Sequence, residues 1–250
     1  MQNDYLADLF YLTLIAIGLI LDYFMLWRGF LRRSQADPAR ARVWLWSAWM
    51  IMLWTLVAAG VGLWMLKGRS WASLGLIIPH GWRLLVAIGM VMLPVLNSAR
   101  TVTKVMRSKR PKLVKMHDHS EKMAPHTGSE LGWFVALSLS AGFCEEFLFR
   151  GYLIWAFQPV VGLWGAAAFS VVVFAAAHAY QGIKGVLATG VVGILLTVVV
   201  LVFKSLLPAI ALHAFVDIGQ GLVAWLVLRK VSGKSGELQS SDPTVLDHSV

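Results

Sequence analysis

Residues 131–157 read LGWFVALSLSAGFCEEFLFRGYLIWAF, an apolar run interrupted only by Glu145, Glu146 and Arg150. About 20 mostly apolar residues suffice to span a bilayer. An ionisable group at bilayer depth costs about 2.5–3.5 kcal/mol on insertion scales and needs a partner or a wet cavity. The same conflict recurs downstream, with His178 ending Phe174-Ala-Ala-Ala-His178, and His213 and Asp217 sharing His213-Ala-Phe-Val-Asp217. A common reason for all of them is a hydrated pocket between helices. The stretch therefore points to an all-α, polytopic membrane bundle with acid–base chemistry inside it.

The remainder of the chain agrees. Of 250 residues, 58% are hydrophobic and 14% charged, with a mean hydropathy of +0.69. Soluble domains carry about 25% charged residues. Seven spans can be placed, at 5–27, 43–66, 84–98, 131–157, 160–179, 186–203 and 206–228. The third is short and contains Pro94. The first follows Asp4 and Asp8 rather than a basic leader, and is long enough to remain as a span. Cys144 is the only cysteine, so no internal disulfide can form.

The net charge of +9 is concentrated in alternate connections. Arg28, Arg32, Arg33, Arg40 and Arg42 lie between spans one and two. Arg100, Lys104, Arg107, Lys109, Arg110, Lys112, Lys115 and Lys122 lie between spans three and four. By the positive-inside rule these face the cytoplasm, with the N-terminus outside and the C-terminus inside. The basic 99–130 loop lacks interleaved aromatics, so topology and anionic lipid, not nucleic acid, account for its charge. His117-Asp118-His119 within it has metal-ligand residue types, but a solvated loop explains it as well.

Four regions follow: scaffold spans over 1–98, the loop 99–130, a four-helix core over 131–228 carrying the chemistry, and a polar tail over 229–250 expected to be disordered. Asp22 is the exception within the scaffold. Trp44, Trp46, Trp155 and Trp164 fall near span ends, as interface anchors do. Gly162, Gly165, Gly190 and Gly193 invite close helix approach.

Glu146 and Arg150 stand one helical turn apart and can pair. Glu145 points about 100° away, which leaves it free to take a proton from water. His213 and Asp217, four residues apart, share a face. Asp217 can orient the imidazole, or the two can join a metal site. His178, His213 and Asp217 are ligand types that suit zinc with a position left for water, although no His-Glu-x-x-His helix is present. Counting along straight spans sets Glu145, His178 and His213 at different depths, so some helices must be tilted or broken. Gly142, Gly182 and Gly185 are candidate break points.

Glu-Glu-x-x-x-Arg, then Phe-x-x-x-His, then His-x-x-x-Asp resembles the CPBP (Abi) family of intramembrane proteases. That family includes the type II CAAX prenyl endopeptidases and bacteriocin-processing or immunity proteins. The resemblance covers about residues 131–220, and Ser73-Leu-Gly-Leu76 is similar to a weaker upstream feature. It implies hydrolysis of a peptide bond in a membrane-associated, prenylated or lipidated protein or peptide. It casts Glu145 as base with His178 assisting, His213 and Asp217 as stabilisers of the water or oxyanion, and Glu146 with Arg150 as the supporting pair. The prenyl endopeptidases proper resemble a version with Asn where this chain has Asp217. Zinc-dependent and glutamate-activated water both remain open, as do a non-enzymatic immunity or scaffolding role and a proton relay or transporter.

Overall fold

Hydrocarbon offers backbone groups no water, so a spanning chain must satisfy them internally. The computed structural model does so with helices alone among the described residues, which are 2–108 and 118–240. Side chains are described over 6–108 and 121–231.

Helix α1 (Gln2–Leu21) passes through a π-helical turn, Asp22–Trp27, into α2 (Arg28–Arg33). Asp37 caps the long α3 (Pro38–Leu66), its carboxylate accepting from Arg40 N. A short 3-10 turn, Trp71–Leu74, leads to α4 (Trp82–Arg107), and α5 (Asp118–Met123) follows. Helix α6 (Gly128–Glu145) continues through a π-helical stretch, Glu146–Leu153, into α7 (Ile154–Ala177). Helices α8 (Gly182–Phe203) and α9 (Leu207–Ser240) complete the bundle.

Among the described residues, six segments are long and apolar enough to cross a membrane, one of them the 50-residue Gly128–Ala177. At about 1.5 Å per residue, that segment would be more than twice as long as the roughly 30 Å hydrocarbon layer. It folds back at Gly162, whose φ of 72° and ψ of 170° lie in a region open to glycine alone. The chain thus makes about seven passes, as expected. The reversal itself differs from the expected Gln158–Pro159, because the helix runs on through Pro159 to the residue that can turn.

Other boundaries shift too. Helix α4 continues through Arg107, nine residues beyond the expected end at 98, so Arg100 and Lys104 lie on the helix rather than in the loop. Its last carbonyls are capped from outside: the Lys230 ammonium donates to Val105 O (2.8 Å), Met106 O and Ser108 O (3.2 Å). Helix α9 likewise persists to Ser240 where a disordered tail is expected from 229. It meets no proline after Pro208 until Pro243. Residues 241–250 and His117 lie outside the described residues, as do the side chains of Asp118 and His119. Trp46 is fully buried in a scaffold cluster with Trp27, Phe30 and Trp49, so it is core and not an interface anchor. Trp164 remains exposed.

Two ion pairs brace the bundle, one buried between scaffold and core and one partly buried within the scaffold. Arg42 of α3 pairs with Glu130 of α6 at 2.8 Å. Glu130 also accepts from His126 N (2.6 Å) and closes a capping box with Thr127. On the other side, Arg69 holds Asp8 of α1 at 2.6–2.8 Å and stacks on Trp155 at 4.4 Å. Asp8 also accepts from the Tyr152 hydroxyl on the π-helical stretch.

Removing one member of a buried pair costs about 3–5 kcal/mol. Arg42→Ala should show a loss of this order in SDS-induced unfolding in mixed micelles. Glu130→Ala should lose more, because the backbone N–H groups of His126 and Thr127 lose their acceptor as well.

Candidate active site

Arg150 is where the local sequence forces the geometry. Its guanidinium carries five donors and no acceptor, and its side chain is fully buried. Nη1 donates to Glu146 Oε1 at 2.9 Å, one turn back on the same helix, as the spacing predicts. Nη2 donates to Gly193 O (3.2 Å) and Nε to Thr197 Oγ1 (3.4 Å), both on α8. The Phe174 ring of α7 lies 4.0 Å from the guanidinium carbon. A Cβ at Gly193 would stand 3.3 Å from Arg150 Nη2 and 3.1 Å from Phe174, so glycine sets this approach.

The other side of Glu146 holds α9. His213 Nδ1 donates to Glu146 Oε1 at 2.9 Å. This leaves His213 Nε2 facing Glu145 Oε2 at 3.9 Å and Asp217 Oδ2 at 3.6 Å. Glu145 thus faces the opposite edge of the same imidazole instead of pointing away from the pair. Glu145 Oε2 and Glu146 Oε2 are both enclosed without a hydrogen-bond partner. His178 ends α7 and donates from Nδ1 to Phe174 O at 2.9 Å. That bond fixes the tautomer, so Nε2 of the neutral ring is an acceptor. A cavity of about 660 Å³ is lined by Glu145, His178, His213 and Asp217, and by Asp22, Tyr180 and Gln220.

The depth conflict dissolves in the irregular backbone. Glu145 precedes the Gly162 turn by seventeen residues and His178 follows it by sixteen, so the two are level. Helix α9 begins inside the bundle, with Leu206 beside Gly151 and Leu206 N bonded to Gly75 O at 2.8 Å. Six residues separate Glu145 from Gly151, and six separate Leu207 from His213. Of the expected break points, Gly182 turns the chain with a φ of 73°. Gly142 and Gly185 lie within helices.

All the residues singled out from the sequence, Glu145, Glu146, Arg150, His178, His213 and Asp217, border one site or its support. As a zinc set, His178, His213 and Asp217 do not close up. Among the described residues no three His, Cys, Asp or Glu side chains stand where they could hold a metal ion. Sequence reasoning passed over Thr197, Trp49 and Tyr180, and marked Asp22 only as the exception within the scaffold. Thr197 carried a signal, being a hydroxyl in the otherwise apolar 190–203 run. Ser170 of α7 donates to Phe149 O at 2.7 Å.

A family model described as type II CAAX prenyl endopeptidase, Rce1-like, matches residues 127–219. Over these residues, somewhat more than a third of the chain, the protein is similar to that family. The Rce1-like segment starts at the Thr127 cap of α6 and ends two residues past Asp217, so it holds every residue of the constellation except the α1 and α3 contributions. Comparison with curated proteins and with solved structures finds no match.

Within the Rce1-like segment, α6 and α9 meet at Gly142, where a Cβ would stand 2.8 Å from Ala214 Cβ and 3.0 Å from Ile210 O. Forcing a methyl into such a contact costs about 1–3 kcal/mol. Gly142→Ala should lower the thermal midpoint of the purified protein in detergent. Gly132→Ala, at a position with open space, should leave the midpoint unchanged or raise it.

Proposed function

We propose that this chain is an intramembrane endopeptidase that hydrolyses a peptide bond of a membrane-associated protein or peptide with water activated by Glu145. One observation carries the reading. Glu146 Oε1 accepts from both Arg150 and His213 and lies off the cavity, whereas Glu145 comes no nearer to His213 than 3.9 Å and lines the cavity with His178, His213 and Asp217. Two adjacent glutamates therefore have different work. One holds the frame and the other is left to react.

Water seated between Glu145 and His178 gives a proton to Glu145 as its oxygen attacks the scissile carbonyl carbon. His213, as an imidazolium with Nδ1 on Glu146, donates from Nε2 to the developing oxyanion, and Asp217 orients and balances that imidazolium. The tetrahedral intermediate collapses, the C–N bond breaks, and the proton passes from Glu145 to the leaving nitrogen. His178, whose Nε2 is an acceptor, assists the transfer. General acid–base help of this kind contributes about 10²–10⁴-fold. His178, His213 and Asp217 do not gather as a metal-binding group among the described residues, so Glu145 itself activates the water. Asp217 stands where the prenyl endopeptidases proper resemble an Asn version, so a prenylated C-terminus is one substrate among lipidated or plain transmembrane segments. The charged connections favour an outside N-terminus and a cytoplasmic C-terminus.

Glu145→Gln, His178→Ala and His213→Ala should each lower cleavage at least about a hundredfold while eluting as folded protein in size-exclusion chromatography. Mass spectrometry of membrane peptides from cells with wild type or Glu145→Gln supplies the cleaved termini. Folded variants that generate the same termini as wild type would sink the proposal. Chelators should leave cleavage intact, and loss of activity with recovery on added zinc would replace the glutamate mechanism by a metal-dependent one.

A further inference from the structure

Helices α1 and α3 lie outside the Rce1-like segment, yet they reach its cavity. The π-helical turn Asp22–Trp27 buries Asp22 and Trp27 together. Such turns are rare and recur at functional sites. Asp22 Oδ1 accepts from the Trp49 indole N–H on α3. Trp27 and Trp49 then both contact Tyr180, with ring centroids 5.2 and 5.4 Å away. Tyr180 is two residues past His178, and its ring lies 5.9 Å from the imidazole. Phe174 contacts the imidazole as well, at 4.8 Å.

His178 needs outside support. It caps α7 with φ −95° and ψ 20°, and the chain leaves through a single 3-10 turn, Ala179–Gln181, before turning again at Gly182. Its one side-chain bond, to Phe174 O, fixes the tautomer but leaves the turn beyond it to be held by packing. The aromatic grip on Tyr180 supplies that packing. Asp22 fits the same logic. An apolar residue would fill its site without a desolvation cost. The carboxylate adds a fixed acceptor that sets the rotation of the Trp49 indole.

We propose that Asp22, Trp49 and Tyr180 are positioning residues, a clamp built by the N-terminal helices that holds the His178 imidazole in line with Glu145. The clamp rests on the reading of His178 as a member of the water-activating set. It assigns the scaffold helices, which line the same cavity, a part in positioning the reacting groups.

The test uses the full chain in nanodiscs with internally quenched apolar peptides. A reacting group displaced by about 1 Å can cost up to a hundredfold. Asp22→Ala and Trp49→Phe should each lower kcat about tenfold with KM within about twofold, and the double variant should fall no further than either single one. Asp22→Asn, which keeps an acceptor for the indole, should retain kcat. Independently of cleavage, diethylpyrocarbonate labelling followed by mass spectrometry should show His178 modified several-fold faster in Asp22→Ala and Trp49→Phe, with His213 unchanged. Should Asp22→Ala not fold, Trp49→Phe carries the same comparison. Faster His178 labelling in a protein that cleaves nothing would uphold the clamp and defeat the protease reading. An unchanged His178 labelling rate, or an Asp22→Asn variant as impaired as Asp22→Ala, would overturn the clamp.

Discussion

A guanidinium enclosed by apolar helices must find every partner within the protein, and Arg150 finds them on its own helix and on two others. Glu146 neutralises it, α8 offers a carbonyl and a hydroxyl, and α7 offers the face of Phe174. Because Glu146 Oε1 also receives His213 Nδ1, the same carboxylate fixes α9. The four helices of the core are thus registered around one buried ion pair. Such a pair is weak evidence for net stability, since its desolvation cost can exceed its Coulomb gain. Its use here is geometric. It sets which residues of four helices are level with one another, and that level is where Glu145, His178 and Asp217 meet.

Regular helices would not have produced this meeting. The work is done by three departures: the π-helical stretch after Glu145, the glycine turn at 162, and an α9 that starts within the bundle. The stretch after Glu145 is completely buried. Each departure shortens or rotates a helix relative to a full crossing. Together they leave a largely apolar cavity with Glu145, His178, His213 and Asp217 on its wall, in a protein whose outer surface is lined by exposed leucine, isoleucine, valine and phenylalanine. Irregular backbone at such a depth is tolerated where it faces protein or water rather than lipid.

The sequence made the constellation legible because polar residues in apolar helices have few innocent explanations. Glu146 with Arg150 follows from spacing alone, and the fold class follows from hydropathy. What escaped was whatever depends on three-dimensional neighbours. The depth puzzle arose from treating each apolar run as one crossing ending at a proline, when the turning residue was Gly162. Helix α4 looked short because Arg100 and Lys104 read as loop, although nothing there breaks a helix and Lys230 supplies its missing cap. Asp22 was visible as an anomaly, but its link to His178 runs through two aromatic rings that no linear spacing connects.

The bond from Leu206 N to Gly75 O, with Ser205 Oγ donating to Ile77 O, pins the start of α9 to the loop before α4. Just ahead of it, Lys204 adopts a left-handed conformation that ends α8. The pin fixes where α9 starts. A residue gained or lost between Leu207 and His213 turns the imidazole about 100° around the helix axis, away from Glu146. The seven residues of that interval are in effect a ruler, and its length is part of the site.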